Sequence, residues 1–129
     1  MLLDGVAYLG NWPFRKLRYN TAESMLERMD RCGIDGAVVS SLNAVLYKDV
    51  MNGNCELAEA VKGLDRFIPL AVINPAYPHW KEDFLYCLDE LGMKGLEIFP
   101  GYHNYSLDLP ELKELLTLAA QRKVPVRVP

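Results

Sequence analysis

The chain has 129 residues, of which half are hydrophobic and 24% are charged, and its formal net charge is −3. This composition is typical of one ordinary globular domain, which we place at residues 1–129. Arg15, Lys16 and Arg18 form the densest basic cluster, which is too small to indicate a nucleic-acid site. No apolar run approaches the roughly 20 residues that span a bilayer. We therefore expect a small-molecule substrate and neither a nucleic-acid nor a membrane partner.

The three cysteines are Cys32, Cys55 and Cys87, an odd number without a CxxC spacing. This pattern indicates free thiols in a reducing compartment. Cys32 and Cys87 fall on apolar helix faces, so we expect both in the core. The first residues lack the basic and long apolar regions of a signal peptide, which favours a cytoplasmic location.

A short apolar strand followed by an amphipathic helix recurs along the whole chain. The runs are rich in Val, Ile and Leu and are continuous, as in the strands of a parallel sheet. The predicted strands are residues 2–9, 36–41, 67–74, 94–100 and 125–128.

Four amphipathic helices are predicted between these strands, at residues 21–32, 53–62 and 80–91 and from Pro110 onward. Asn20 and Glu23 have the spacing of a capping box, in which each side chain satisfies a free amide at the start of the first helix. Gly33 is expected to end that helix.

The alternation of strands and helices predicts parallel strands joined by right-handed crossovers. It fits either a complete five-stranded doubly wound sheet or the N-terminal half of a (β/α)8 TIM barrel, which needs about 250 residues. The loops that follow the strands contain both histidines and both tryptophans, whereas the loops that precede the strands are short. Four elaborate loops on one side, and a chain that stops within the fifth strand, favour the half barrel with strand order 1-2-3-4-5.

Several segments in succession resemble the amidohydrolase-related family of TIM-barrel, metal-dependent hydrolases and decarboxylases. They are the first strand with GNWPFR, then GIDGAVVSSLNAVLYKD, GNCELAEAV, RFIPLAVINP, MKGLEIFPGYHNYSLD and VPVRVP. The resemblance covers nearly the whole chain and the first half of the family domain. It implies a hydrolase that acts on a small polar substrate, and a barrel whose site lies at the strand ends.

The family's strand-one motif, Asp-x-His-x-His, has lost its histidines here. The frame that begins at Asp4 carries Val6 and Tyr8 at the two metal-binding positions. Valine has no donor atom and tyrosine is a poor zinc ligand. The resemblance therefore implies a divergent member with no metal ligand and no cofactor within this chain, and it leaves zinc in the full-length protein open.

Two candidate catalytic residues belong to the fourth strand and its loop. His103 follows the strand beside Tyr102 and Tyr105, where an imidazole can act as a general acid or base. Glu97 lies inside the strand, where a charged side chain needs a partner. It either faces the barrel interior, where it holds substrate or orients His103, or faces the helices and pairs with a lysine.

The remaining candidates lie in the other loops that follow strands. Asp49 is a candidate proton acceptor, with helix capping as its alternative. Substrate-binding candidates are Asn43, Asn74, Trp12 and Tyr102. We expect Asn43, Asn74, Glu97 and His103 to converge near Trp12, whereas a capping or surface role is expected for His79.

Three functions remain open at this stage. The first is hydrolysis of a small amide, ester or lactone, with decarboxylation as the nearest enzymatic variant. The second is a metal-free barrel that binds a ligand without catalysis. The third is an inactive fragment, and a homo-oligomer remains open for all three.

Overall fold

Five parallel strands form one sheet in the computed structural model, which describes Met1–Pro129. The strands are β1 (Leu3–Leu9), β2 (Gly36–Ser41), β3 (Phe67–Val72), β4 (Gly95–Glu97) and β5 (Val126–Arg127). Their spatial order is β1-β2-β3-β4-β5, and each neighbouring pair is parallel. This order confirms the half barrel and excludes the doubly wound alternative, in which a strand crosses over to the other side of the first.

The helices are α1 (Ala22–Cys32), α2 (Asn43–Leu46), α3 (Val50–Ala60), α4 (Trp80–Asp89) and α5 (Pro110–Gln121). There are five rather than four, because the loop after β2 forms the additional short helix α2. Helix α3 begins at Val50 rather than at residue 53, since the Asp49 carboxylate accepts a hydrogen bond from the Met51 amide at 2.9 Å and caps the helix there. None of the helices is both long and apolar enough to cross a membrane.

The cap of α1 differs from the predicted one by one residue. Thr21 is the N-cap, and its hydroxyl accepts a hydrogen bond from the Ser24 amide at 3.2 Å. The Asn20 side chain is oriented toward the loop after β1 instead, where its amide nitrogen donates to the Gly10 carbonyl and to the Asn11 side chain, both at 3.0 Å. Gly33 ends the helix in the left-handed conformation, with φ 69°, as predicted.

The main core lies between the sheet and helices α1, α3, α4 and α5. Its fully buried members include Val39, Ala71 and Leu96 from the strands and Phe84 and Leu115 from the helices. Cys87 is buried in this core as predicted. The prediction for Cys32 was wrong: its side chain is exposed at the last position of α1.

The opposite face of the sheet is the inner face of the half barrel. Residues alternate between the two faces along β4 and just beyond it. Leu96 and Ile98 belong to the helix-side core, whereas Phe99 belongs to a second apolar cluster with Val72, Ala44 and neighbouring side chains. Glu97 lies between Leu96 and Ile98 in sequence and is therefore directed to the inner face, where it is fully buried.

Candidate functional site

An apolar cleft of about 450 Å³ lies at the carboxyl ends of the strands, on the inner side of the half barrel. Tyr8 contributes from the end of β1 and Phe99 from just beyond β4, and Leu42 and Val45 contribute from the segment after β2 that contains α2. The carboxyl ends of barrel strands are where enzymes of this architecture place their active sites. The position and size of the cleft suit a small molecule.

Aromatic rings form one wall of the cleft. Trp12 meets Phe14 at a centroid distance of 5.4 Å and Tyr102 at 5.9 Å, and Tyr102 meets Phe99 at 6.4 Å. All three pairs are in edge-to-face arrangements, which favour a specific relative orientation of the rings. The structure thus places two predicted substrate-binding residues, Trp12 and Tyr102, in contact with each other at the cleft.

Arg15 is the charged residue in the cleft lining. It is exposed and makes no salt bridge with an acidic side chain. A free guanidinium beside an aromatic wall can pair with a carboxylate of a bound molecule. The sequence signal for this residue was the basic cluster after the first strand.

Behind the residues that line the cleft, the Glu97 carboxylate is surrounded by polar hydrogen-bond partners. Its carboxylate accepts hydrogen bonds from the Ser40 hydroxyl and from the Tyr8 hydroxyl, the latter at 3.2 Å. It also forms a bidentate ion pair with Arg127, whose Nη2 lies 3.0 Å from Oε1 while Nε donates to Oε2. Glu97 therefore faces the interior, one of the two predicted alternatives, but its partner is an arginine on the next strand rather than a substrate or His103.

Tyr8 links this buried cluster to the cleft. Its ring lines the cleft, lies 6.4 Å from the Phe99 ring and sits 5.1 Å from the Arg127 guanidinium carbon. Burial, and then the nearby Glu97 carboxylate, raise the pKa of the Tyr8 phenol above its ordinary value. The hydroxyl is therefore protonated near neutral pH and acts as a donor to Glu97.

His103 lies at the edge of the cleft rather than within its lining. Its ring packs edge-on against Phe99 at 5.9 Å, and Nε2 lies 3.2 Å from the Ala44 carbonyl. The other ring nitrogen, Nδ1, is buried without a hydrogen-bond partner. Burial is the main reason that the pKa of His103 lies below its ordinary value, which keeps the imidazole neutral.

The predicted polar residues Asn43, Asp49 and Asn74 do not enter the cleft. Asn43 lines a separate pocket of about 300 Å³ between α1 and α3. There its amide donates to Glu56 at 2.7 Å and accepts from the Asn11 amide at 2.9 Å. Asp49 caps α3, and the Asn74 side chain accepts from the Ala76 amide at 3.0 Å. The expected convergence of Asn43, Asn74, Glu97 and His103 near Trp12 is therefore not found. The two asparagines lie elsewhere, and Glu97 and His103 reach the cleft lining only through their contacts with Tyr8 and Phe99.

Asn54 is fully buried and bonds both backbone groups of Val72: its side chain accepts from the amide at 2.9 Å and donates to the carbonyl at 2.8 Å. Arg127 was not singled out, because an arginine next to a chain terminus carries no distinctive local pattern. His79 is exposed at the start of α4 and makes no side-chain capping bond, which agrees with a surface role.

The two strand-one positions do not fit a metal ion. Val6 is 59% exposed and offers no donor, and the Tyr8 hydroxyl is bonded to Glu97. No three side chains of His, Cys, Asp or Glu are grouped closely enough to hold a metal. Neither strand-one position therefore offers a free donor to a metal ion.

The fold is shared with the crystal structure of a probable 2-pyrone-4,6-dicarboxylic acid hydrolase from Acinetobacter baumannii with citric acid bound. The TM-score is 0.68 at 15% sequence identity, and the match covers 98% of this chain and 48% of that one. The present chain thus spans about half the length of that protein. At this identity the likeness shows the fold alone. No family model matches the sequence, and no curated protein matches it.

Proposed function

We propose that this chain is the N-terminal half of a barrel hydrolase of the amidohydrolase-related type, which acts on a small polar amide, ester or lactone bound in the aromatic cleft. The observation that carries the proposal is the cleft itself, which lies at the carboxyl ends of the strands between Trp12, Tyr102 and Arg15. The shared fold supports it, because the neighbouring structure is described as a probable hydrolase.

Within this proposal, the cleft binds the substrate and orients it. The flat faces of Trp12 and Tyr102 suit a planar group, and the Arg15 guanidinium suits an anionic one. The fold neighbour is described as acting on a dicarboxylic acid and holds citric acid, both of which are small carboxylic acids. A carbonyl compound that carries a carboxylate therefore fits the cleft best.

Among the candidate catalytic residues, His103 is the best placed for proton transfer. Its imidazole is neutral and adjoins Phe99, which lines the cleft. Its partner-free Nδ1 is the nitrogen that takes a proton from an attacking water and returns it to the leaving group, and because Nδ1 is buried, this proposal requires substrate binding to admit the water. Glu97 acts indirectly in this proposal by holding Tyr8, since its carboxylate is fully engaged, and Asp49 acts as a helix cap.

The test is hydrolysis by the full barrel of a panel of carboxylate-bearing lactones, esters and amides. His103→Ala should reduce turnover far more than it reduces stability, and His79→Ala, on an exposed helix start, is the matched control. Equal and small effects of the two substitutions on turnover would contradict a catalytic role for His103. Release of carbon dioxide from the same acids, without hydrolysis, would instead identify the decarboxylase variant.

A metal-free ligand-binding barrel is the second candidate, and the loss of both strand-one histidines favours it. It predicts that the full barrel binds small carboxylic acids with a saturable heat of binding that Arg15→Ala weakens, but turns over none of them. Zinc, if the full-length protein uses it, would need ligands outside Met1–Pro129.

Self-association is a further part of the proposal. The edge strand β1 exposes Leu2, Leu3 and Val6, and β5 is followed by the exposed Val128. Open strand edges with apolar side chains promote pairing between chains. Sedimentation should therefore show concentration-dependent association of the 129-residue chain, and Val6→Lys should weaken it. A clean monomer at every concentration would contradict this part.

A further inference from the structure

We infer that the Arg127 guanidinium is the resident cation of the barrel interior, in the place of the metal ion that the strand-one motif would otherwise bind. This inference goes beyond the proposed function and holds whether or not the barrel is a hydrolase. It rests on the hydrogen bonds of one buried polar cluster, to which the strands β1, β2, β4 and β5 contribute.

All five N–H donors of Arg127 are used. The Nε–H and one of the two Nη2–H groups donate to the two oxygens of Glu97. The second Nη2–H group donates to the Ser40 hydroxyl at 3.0 Å. Nη1 donates to the Gly5 carbonyl at 2.7 Å and to the Val38 carbonyl at 3.1 Å. A guanidinium has five donors and stays charged at every pH that a folded protein tolerates. It therefore fills this site as a permanent, fully coordinated cation.

The Glu97 carboxylate is equally saturated. It has about four acceptor positions, and these receive Arg127 twice, the Ser40 hydroxyl and the Tyr8 hydroxyl. A carboxylate that binds a metal must direct a free lone pair at the ion. Glu97 has none left, and its charge is already cancelled by a guanidinium that is 15% exposed.

The position of the cluster identifies the charge that it replaces. Tyr8 stands at one of the two strand-one positions where the resemblance implies a metal ligand, and its hydroxyl is part of the cluster. The carbonyl of Gly5 also comes from β1, beside the register shift between Asp4 and Ala7. Arg127 thus joins β5 to β1 and β2 across the interior, as a central ion joins ligands from several strands.

A divalent ion would meet two obstacles here. It would have to displace a guanidinium that has five hydrogen bonds, or sit beside its positive charge. No other acidic side chain is bonded within the cluster to offset a second cation. The charge of the Glu97 carboxylate in the interior is therefore balanced without a metal ion.

The test uses the 129-residue chain, urea unfolding and chemical rescue. Arg127→Ala should lower the urea midpoint, because Glu97 then lacks its counter-ion. Ethylguanidinium at millimolar concentration should return the urea midpoint of Arg127→Ala much of the way to that of the parent chain. Ethylammonium, which has the same charge, and buffer without either cation should leave the midpoint unchanged. Arg122→Ala removes an exposed pair with Asp89 and is the matched control, on which ethylguanidinium should have no restoring effect.

A double variant keeps the inference falsifiable if Arg127→Ala does not fold. Glu97→Gln combined with Arg127→Met removes both charges, and it should fold and unfold cooperatively without any additive. Failure of this variant to fold would overturn the inference, as would an Arg127→Ala variant as stable as the parent chain, or rescue by ethylammonium as large as by ethylguanidinium. Calorimetric titration of the parent chain with zinc chloride should show no zinc binding that depends on Glu97. Stoichiometric zinc binding by the parent chain that Glu97→Gln abolishes would also overturn the inference.

Discussion

The two faces of the five-stranded sheet carry opposite kinds of side chains. The outer face, under the helices, is closed by fully buried apolar residues such as Val39, Ala71 and Leu96. The inner face carries a buried ion pair, two hydroxyl groups bonded to it and an open aromatic cleft. The same strands supply both faces, because successive side chains of a strand point in opposite directions.

Because of this difference, we expect the two faces to contribute differently to the stability of the fold and to ligand binding. Apolar burial on the outer face supplies most of the driving force for folding. The inner face holds groups that cost free energy to bury unless each one is paired. Substitutions on the outer face should therefore change stability, and those at the cleft should change binding.

The largest expected effect is on the outer face, at Phe84. Phe84→Ala removes a ring with 0% exposure and should cost about 3–5 kcal/mol of unfolding free energy. Phe14, 77% exposed beside Trp12, is the matched aromatic, and Phe14→Ala should change the unfolding free energy by no more than about 0.5 kcal/mol. Urea denaturation of the three proteins measures both values. Similar losses for the two variants would remove the distinction between the faces.

A smaller effect is expected at Asn54, whose side chain bonds the last residue of the central strand β3. Asn54→Ala leaves the buried N–H and C=O of Val72 without partners and should cost about 2–3 kcal/mol. Asn52, exposed on the same helix, is the control, and its substitution by alanine should be nearly neutral. If the two alanine variants unfold at the same urea concentration, the Asn54 bridge contributes nothing.

The next effect is a pH dependence that His103 produces. Burial places its folded-state pKa below the ordinary 6.5, so the unfolded chain takes up a proton first as the pH falls. The stability that the neutral imidazole contributes is complete above that ordinary pKa and is lost as the pH falls through the folded-state pKa. The urea midpoint should therefore decrease as the pH is lowered from about 7.5 to about 5.

The assignment to His103 is checked with variants of each histidine. His103→Gln should flatten the pH dependence in this interval, and His79→Gln should leave it unchanged, because His79 is exposed. An unchanged slope in His103→Gln would assign the effect to other groups.

The smallest effect on stability is expected at Tyr102. It is 60% exposed and contacts Trp12 and Phe99 only by ring edges, so Tyr102→Ala should change the unfolding free energy by at most about 0.5 kcal/mol. Binding of small carboxylic acids to the full barrel should nevertheless weaken. A loss of stability comparable to that of Phe84→Ala would show that Tyr102 belongs to the core.

Local features of the sequence were sufficient to predict all five strands and four of the five helices, but not the short helix α2. Strand β2 was predicted with its observed bounds, and the starts at Trp80 and Pro110 were also correct, because apolar periodicity and helix-start residues act over a few positions. Details that depend on a competing partner were missed. Asn20 was predicted as a cap from its spacing to Glu23, but the capping box is formed one residue later by Thr21 and Ser24, while the Asn20 side chain donates to the Gly10 carbonyl.

The sequence alone determined the succession of five parallel strands and four long helices and the absence of histidine at positions 6 and 8, and it favoured the observed strand order. Only the tertiary structure decided what Glu97 does. Its partners Arg127, Ser40 and Tyr8 are 30, 57 and 89 positions away in the chain, and no local pattern links them. They meet because the curved sheet directs inward side chains from four strands to one centre, and a buried carboxylate there is stable only when such distant donors surround it.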